Sequence, residues 1–147
     1  MEKVILGIDP GTNIMGYGVI KVMGSKVEMV TMGVIDLRKF GDGYLKLGRA
    51  QGTAIAAAIQ HGVPVHEYAP MKIKMAITGN GAASKEQVAG MLQRLLKFDK
   101  DALSKFMDAT DALGAAYCHY MQMSRPVSDV NYKGWKDFVN KNKDRVK

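Results

Sequence analysis

The stretch VILGIDPGTNIMGYGVI, residues 4–20, runs an apolar strand into a single aspartate, Asp9, then a turn, then a second apolar strand. Residues 3–9 carry apolar side chains on both faces, which suits a central strand covered on both sides. Gly16 and Gly18 mark a second strand packed closely beside the first. Residues 26–37, KVEMVTMGVIDL, alternate well enough for a third strand, with Gly24 and Ser25 as the hairpin turn before it. A lone carboxylate at a strand end does little chemistry, so the remaining sequence must supply partners for Asp9.

Residues 44–59 read as a helix with a small-residue face of Ala50, Ala54, Ala57 and Ala58. That face suits either a dimer contact or packing on the chain's own sheet. VPVHEYAP, residues 63–70, reads as a short buried strand. Ser84 and Gln87 form a capping box that opens a helix whose apolar positions are Val88, Met91, Leu92, Leu95 and Leu96. A last helix covers about 106–122, with Leu113, Ala116 and Tyr120 on its buried face. Three strands followed by helix–strand alternation predict an α/β sheet of mixed direction.

The 147 residues make one domain, 47% hydrophobic and 24% charged. No apolar run reaches the ~20 residues of a membrane span, and no signal-peptide pattern opens the chain. Cys118 is the only cysteine, which excludes an intrachain disulfide and suits a reducing cytoplasm. The formal net charge of +7 favours a polyanionic partner. Much of the excess lies near the end, where NYKGWKDFVNKNKDRVK, residues 131–147, alternates lysines with Trp135 and Phe138.

Asp108 and Asp111, in FMDATDALGAAYCH, stand three residues apart on one flank of the last helix. Acidic residues in a helix's first turns also simply complement its macrodipole. Together with a strand-end aspartate they form an oxygen-donor set suited to Mg²⁺. In TGNGAASK, Gly79 and Gly81 precede a helix N-terminus and Lys85, a setting that favours a phosphate as well as an ordinary capped turn. Thr12 suits a phosphate contact or a local turn bond equally. His61, His66 and His119 show no metal-ligand spacing, and the eleven methionines fall mostly at core positions.

Four segments in order, GIDPGTNIMGYGVI, LKLGRAQGTAIAAAI, VHEYAPMKIKMAITGNGAASKEQV and DATDAL, resemble the crossover-junction endodeoxyribonucleases of the RuvC type. The resemblance covers most of residues 3–120. It implies an RNase H-like α/β fold, a mixed sheet flanked by helices, over residues 1–123, followed by a basic tail over 124–147. It also implies a homodimer that resolves Holliday junctions, four-way DNA, by paired symmetric nicks, with a branch-migration complex as partner. Asp9, Asp108 and Asp111 match the family's catalytic and metal-binding carboxylates, which hold two Mg²⁺ ions. Lys74 and Lys85 match positions that contact DNA near the scissile phosphate.

One element of the family pattern is absent: a glutamate ending a fourth strand. VIDLRKFGDGYLKL runs directly into GRAQGTAIAAA, joining two helices at residues 44–47. The loss amounts to one helix and one strand, on the order of 30–40 residues by the size of a βαβ unit. The expectation is that residues 63–68 take the vacated place beside the first strand, with Glu67 either replacing the glutamate or serving a structural role. Three functions follow: a junction-cutting nuclease, a junction-binding protein impaired in cutting, or a nucleotide-binding fragment. The third rests on the likeness of GIDPGT to the phosphate loop of sugar-kinase and actin-like ATPases, which need two such domains.

Overall fold

Two hairpins, the second of them turning at Gly24, organise the sheet. A computed structural model of the chain describes residues 2–40, 45–99, 107–123, 136, 139 and 140; the side chains of residues 39, 40, 45–47 and 108 are outside that description. The joint at Tyr44 and nearly all of the expected basic tail fall outside the described residues. Strands β1 (Glu2–Pro10), β2 (Ile14–Met23) and β3 (Lys26–Asp36) form an antiparallel sheet in that order. Gly24, at φ 62°, turns β2 into β3. The register steps between Val19↔Thr31 and Ile20↔Met29, leaving Val30 as a bulge that is largely exposed.

The helices whose bounds are described are α1 (Leu45–Gln60), α2 (Pro70–Thr78), α3 (Lys85–Leu96) and α4 (Met107–Met123). The expected capping box opens α3: Gln87 N–H donates to Ser84 Oγ at 3.3 Å, and Ser84 N–H donates to Gln87 Oε1 at 2.9 Å. Helix α4 lies against one face of the sheet, and α2 and α3 pack on α4, with α3 also reaching β3. Their core joins Ile20 and Met32 of the strands to Ile77, Val88, Leu92, Leu96, Leu113 and Ala116.

Helix α4 lies unusually close to the sheet, and two glycines permit it. Gly7 and Gly18 face each other across β1 and β2. A Cβ on Gly7 would stand 1.9 Å from the Ala112 carbonyl oxygen, and one on Gly18 would stand 2.8 Å from Leu113 Cα. Ala112 and Ala116 of α4 are fully buried or nearly so at this contact. Side chains alternate along a strand, so Asp9 lies on the same face of β1 as Gly7, the face that meets α4.

The sheet departs from expectation at one place. Residues 63–68 form no strand, and every pairing among the described residues is antiparallel, so the parallel member of the expected mixed sheet is missing. Side chains hold this segment to the helices instead. Tyr68 Oη and His119 Nδ1 of α4 share a hydrogen bond of 2.8 Å, the His66 and His119 rings lie 4.5 Å apart, and Gln51 of α1 donates to Glu67 Oε1 at 3.2 Å. Pro64 also lacks a backbone donor for a ladder.

Gly7→Ala is expected to lower the unfolding free energy by about 1–3 kcal/mol or more, as overpacking against backbone does. Gly90→Ala, in α3 with open space around it, is expected to be neutral or to stabilise by up to about 1 kcal/mol. Urea unfolding of the two variants beside the parent checks both.

Candidate active site

Asp9 stands at the end of β1, where Pro10 withholds a ladder donor and the chain turns tightly. A Cβ on Gly11 would stand 2.1 Å from the Ile14 carbonyl oxygen, so no larger residue fits that turn as it is drawn. Asp111 lies early in α4, on the helix pressed against Gly7 and Gly18. Both aspartates line one cavity of about 980 Å³. Lys74 of α2 and Lys85 of α3 line it too, as does Glu67.

Four of the five residues singled out in sequence therefore meet at one opening. The fifth, Asp108, lies one turn before Asp111 in α4, and its side chain is outside the described residues. Among the described residues no three His, Cys, Asp or Glu side chains surround a single point. The two described carboxylates are the part of the donor set on view.

Lys85 Nζ lies 2.7 Å from Asp111 Oδ2, with both side chains partly exposed. In water such a pair stabilises by at most about 1 kcal/mol, so its interest is positional. An ammonium already neutralises the carboxylate, as a metal ion or a phosphate-bound cation would. The helix start beside it is satisfied by its own side chains. Ser84 caps Gln87, and the Glu86 carboxyl is held below its ordinary range, chiefly by a hydrogen bond with Ser84 and then by one with its own backbone. The expected phosphate cradle at Gly79–Ser84 is thus largely occupied from within, which leaves Lys85 as the group that reaches the cavity.

Glu67 carries an exposed carboxylate bonded to Gln51 of α1. His119, set aside in sequence, also lines the cavity with His66 and Tyr68. Their meeting spans 51 residues of chain, so no local spacing announces it. Burial holds the His119 ring below its ordinary pKa, helped by the neighbouring His66 and Lys3. Burial likewise pushes the Tyr68 phenol up, so Tyr68 keeps its proton.

The sheet with α4 on its face is the core of an RNase H-like α/β fold. The family model described as crossover junction endodeoxyribonuclease RuvC matches residues 5–42 and 37–119. The RuvC protein of Bacteroides fragilis is 54% identical, over 99% of this chain and 97% of its own. That of Porphyromonas gingivalis is 45% identical, over 99% and 98%. The structure of Thermus thermophilus RuvC superposes with a TM-score of 0.69 at 29% identity, covering 82% of this chain and 95% of the other. The same protein in complex with Holliday junction substrate gives 0.69 at 28% identity, covering 82% and 94%. This chain belongs to the RuvC family of crossover junction endodeoxyribonucleases.

The family match also locates the missing unit. It breaks into two stretches at residues 37–42, a few residues ahead of the expected joint at 44–47. The alignment with the Bacteroides fragilis protein runs over 182 positions against 147 residues here, so at least 35 positions have no residue in this chain. Among the described residues no helix is long and apolar enough to cross a membrane.

The sign of the His119 shift sets a pH dependence. Its folded-state pKa is lowered from 6.5, so the unfolded ring binds protons more readily. The stability this contributes is fully present above about pH 6.5 and is lost as the pH falls from there through the lowered value. Thermal unfolding at pH 7.5 and 5.5 is expected to show a smaller acid-induced fall in Tm for His119→Gln than for the parent.

Proposed function

We propose that this chain is a structure-selective endonuclease that binds four-way DNA junctions and hydrolyses phosphodiester bonds at the Asp9–Asp111 cavity, in DNA recombination and repair. The observation that carries the reading is the meeting of Asp9, Asp111, Lys74 and Lys85 at one opening in a chain of the RuvC family. Paired symmetric nicks require two such openings, so the active species is a homodimer. A branch-migration complex at the same junction is the partner the family implies, and the cytoplasm the compartment.

The donor set fits a divalent cation. Carboxylates from two elements face one cavity, and the one on α4 is already paired with an ammonium at 2.7 Å. Hard oxygen ligands of this kind suit Mg²⁺. Asp9, Asp108 and Asp111 would hold it, with two ions per subunit as the family pattern. When bound, such ions lower the pKa of an attacking water and stabilise the leaving oxygen.

The chain's own groups do the rest. Close packing of α4 on Gly7 and Gly18 fixes the Asp111 backbone relative to the end of β1, so the ligands are ordered before DNA arrives. The Lys85 ammonium, on the first turn of α3, meets a phosphate oxygen as a compact charge on a flexible stem. Lys74 adds a second cation at the cavity wall. The net charge of +7 draws the polyanion in and makes binding salt-dependent. Glu67, turned toward Gln51, serves the contact between α1 and the 63–68 segment.

A four-way junction incubated with the protein and Mg²⁺ is expected to yield symmetric nicks. Asp9→Asn and Asp111→Asn are each expected to retain junction binding and to lose cutting by at least about 100-fold, since even outer-shell partners of metal ligands cost 10–100-fold. Lys85→Ala is expected to reduce the slope of log binding constant against log salt by about 1. Junction shifted in a gel but left intact by the parent protein at all Mg²⁺ concentrations would favour the junction-binding reading instead.

A further inference from the structure

Helix α1 and the residues after it hold to each other better than to the rest of the fold. A helix ordinarily buries one face, yet none of positions 48–60 is buried, and Ile59 is 67% exposed. Helix α1 meets the other elements chiefly at β1. The chain leaves it through a tight turn at Gly62, where Val63 N–H donates to the Ala58 carbonyl at 2.9 Å. Gln51 of α1 donates to Glu67, so residues 61–67 are tied back to the helix. Few buried apolar contacts mark a segment that opens at low cost.

The ties from this unit to α4 converge on one side chain. His119 shares the 2.8 Å hydrogen bond with Tyr68, and its ring lies 4.5 Å from that of His66. Just beyond Tyr68 the backbone is fixed again. Lys72 and Ile73 N–H both donate to the Ala69 carbonyl, and Pro70 restricts the residue before it. The Tyr68–Ala69 link is therefore where a swing can occur without disturbing α2. Residues 63–68 line the same cavity as residues 3–10 of β1, as do Ala54, Ile55 and Ala58, so the unit forms part of its wall.

The surroundings of His119 oppose a positive ring. It is partly buried, and His66 and Lys3 of β1 both act against its charging. Lys72 of α2 stands 5.1 Å from the centre of the Tyr68 ring, Lys74 and Lys85 line the same cavity, and Cys118 and Tyr120 flank His119 on α4. The nearby carboxylates are engaged: Glu67 with Gln51, Asp111 with Lys85. Asp9 stands at the opposite end of β1 from Lys3.

We propose that α1 and residues 61–68 form an arm hinged at the Tyr68–Ala69 link and pinned over the cavity by His119, and that acid pulls the pin. A proton on the ring's free nitrogen sets a new cation against Lys3 and His66, and the arm swings outward to open the cavity that Asp9 and Asp111 line. The neutral ring holds the arm above about pH 6.5, and the hold is lost as the pH falls through the lowered folded-state value. No step needs DNA or metal, so this device stands or falls apart from the nuclease reading.

Spin labels at Ile59→Cys on the arm and Met75→Cys on α2 read the opening; both positions are more than half exposed, and the native Cys118 is buried. A second pair, Met75→Cys with Met123→Cys of α4, reads the core. Between pH 7.5 and 4.5 the 59–75 distance is expected to lengthen by several ångströms in the parent, while the 75–123 distance stays constant. His119→Gln keeps an acceptor for the Tyr68 hydroxyl and cannot charge, so its 59–75 distance is expected to stay short at both pH values. The same variant retains every carboxylate, which separates their titration from that of the ring. His119→Ala is expected to give the long distance already at pH 7.5. An unchanged parent distance, a His119→Gln variant that opens like the parent, a closed His119→Ala, or a 75–123 distance that moves in step overturns the proposal.

Discussion

Helix α4 can bring Asp111 to the cavity at the end of β1 only because two glycines let its backbone rest on the sheet. Gly7 and Gly18 are cross-strand neighbours, and each leaves room for α4 main-chain atoms where any side chain would collide. The alanines of α4 at positions 112 and 116 complete a contact between small residues. This contact fixes the height and lateral position of the helix more tightly than a layer of large side chains would, because nothing at the interface can change rotamer. Asp9, two residues beyond Gly7, and Asp111, next to Ala112, inherit their proximity to one cavity from it. The rest of the core, from Leu113 outward to Leu92 and Val88 of α3, holds α4 down from the other side.

Much of this was legible in the residues. The two hairpin strands, the turn at Gly24, the capping box at Ser84 and the span of α4 all follow from local patterns of period 2 and 3.6. Asp9, Asp111, Lys74 and Lys85, singled out through the resemblance of their motifs more than through spacing, line one cavity in the fold. What could not be read locally was the fate of residues 63–68. VPVHEYAP has the composition of a strand, but a strand exists only where a neighbour offers a ladder. The contacts that hold it, Tyr68 and His66 on His119 and Glu67 on Gln51, are side-chain contacts across long stretches of chain. The same distance in sequence hid His119, which no local motif connects to the site.

The missing unit leaves a structure with a clear division of labour. One face of the sheet keeps its helices and its core, with Asp9 and Asp111 lining the cavity beside them. The outer edge of β1 has no partner strand among the described residues, and Val4 and Leu6 are exposed beside the cavity. Residues 63–68 are held by side-chain contacts to α1 and α4. Among the described residues the outcome is a purely antiparallel sheet of three strands.

The central claim is that Asp9 and Asp111 share one divalent cation across the β1–α4 contact. Titration with Mn²⁺, followed by paramagnetic broadening of backbone amide signals, tests it directly. The account requires signals at residues 8–10 and 110–112 to broaden together at the same Mn²⁺ concentration, and both to recover in either Asp9→Asn or Asp111→Asn. Broadening at one segment alone, or at both with independent affinities that each survive the other's substitution, would contradict it.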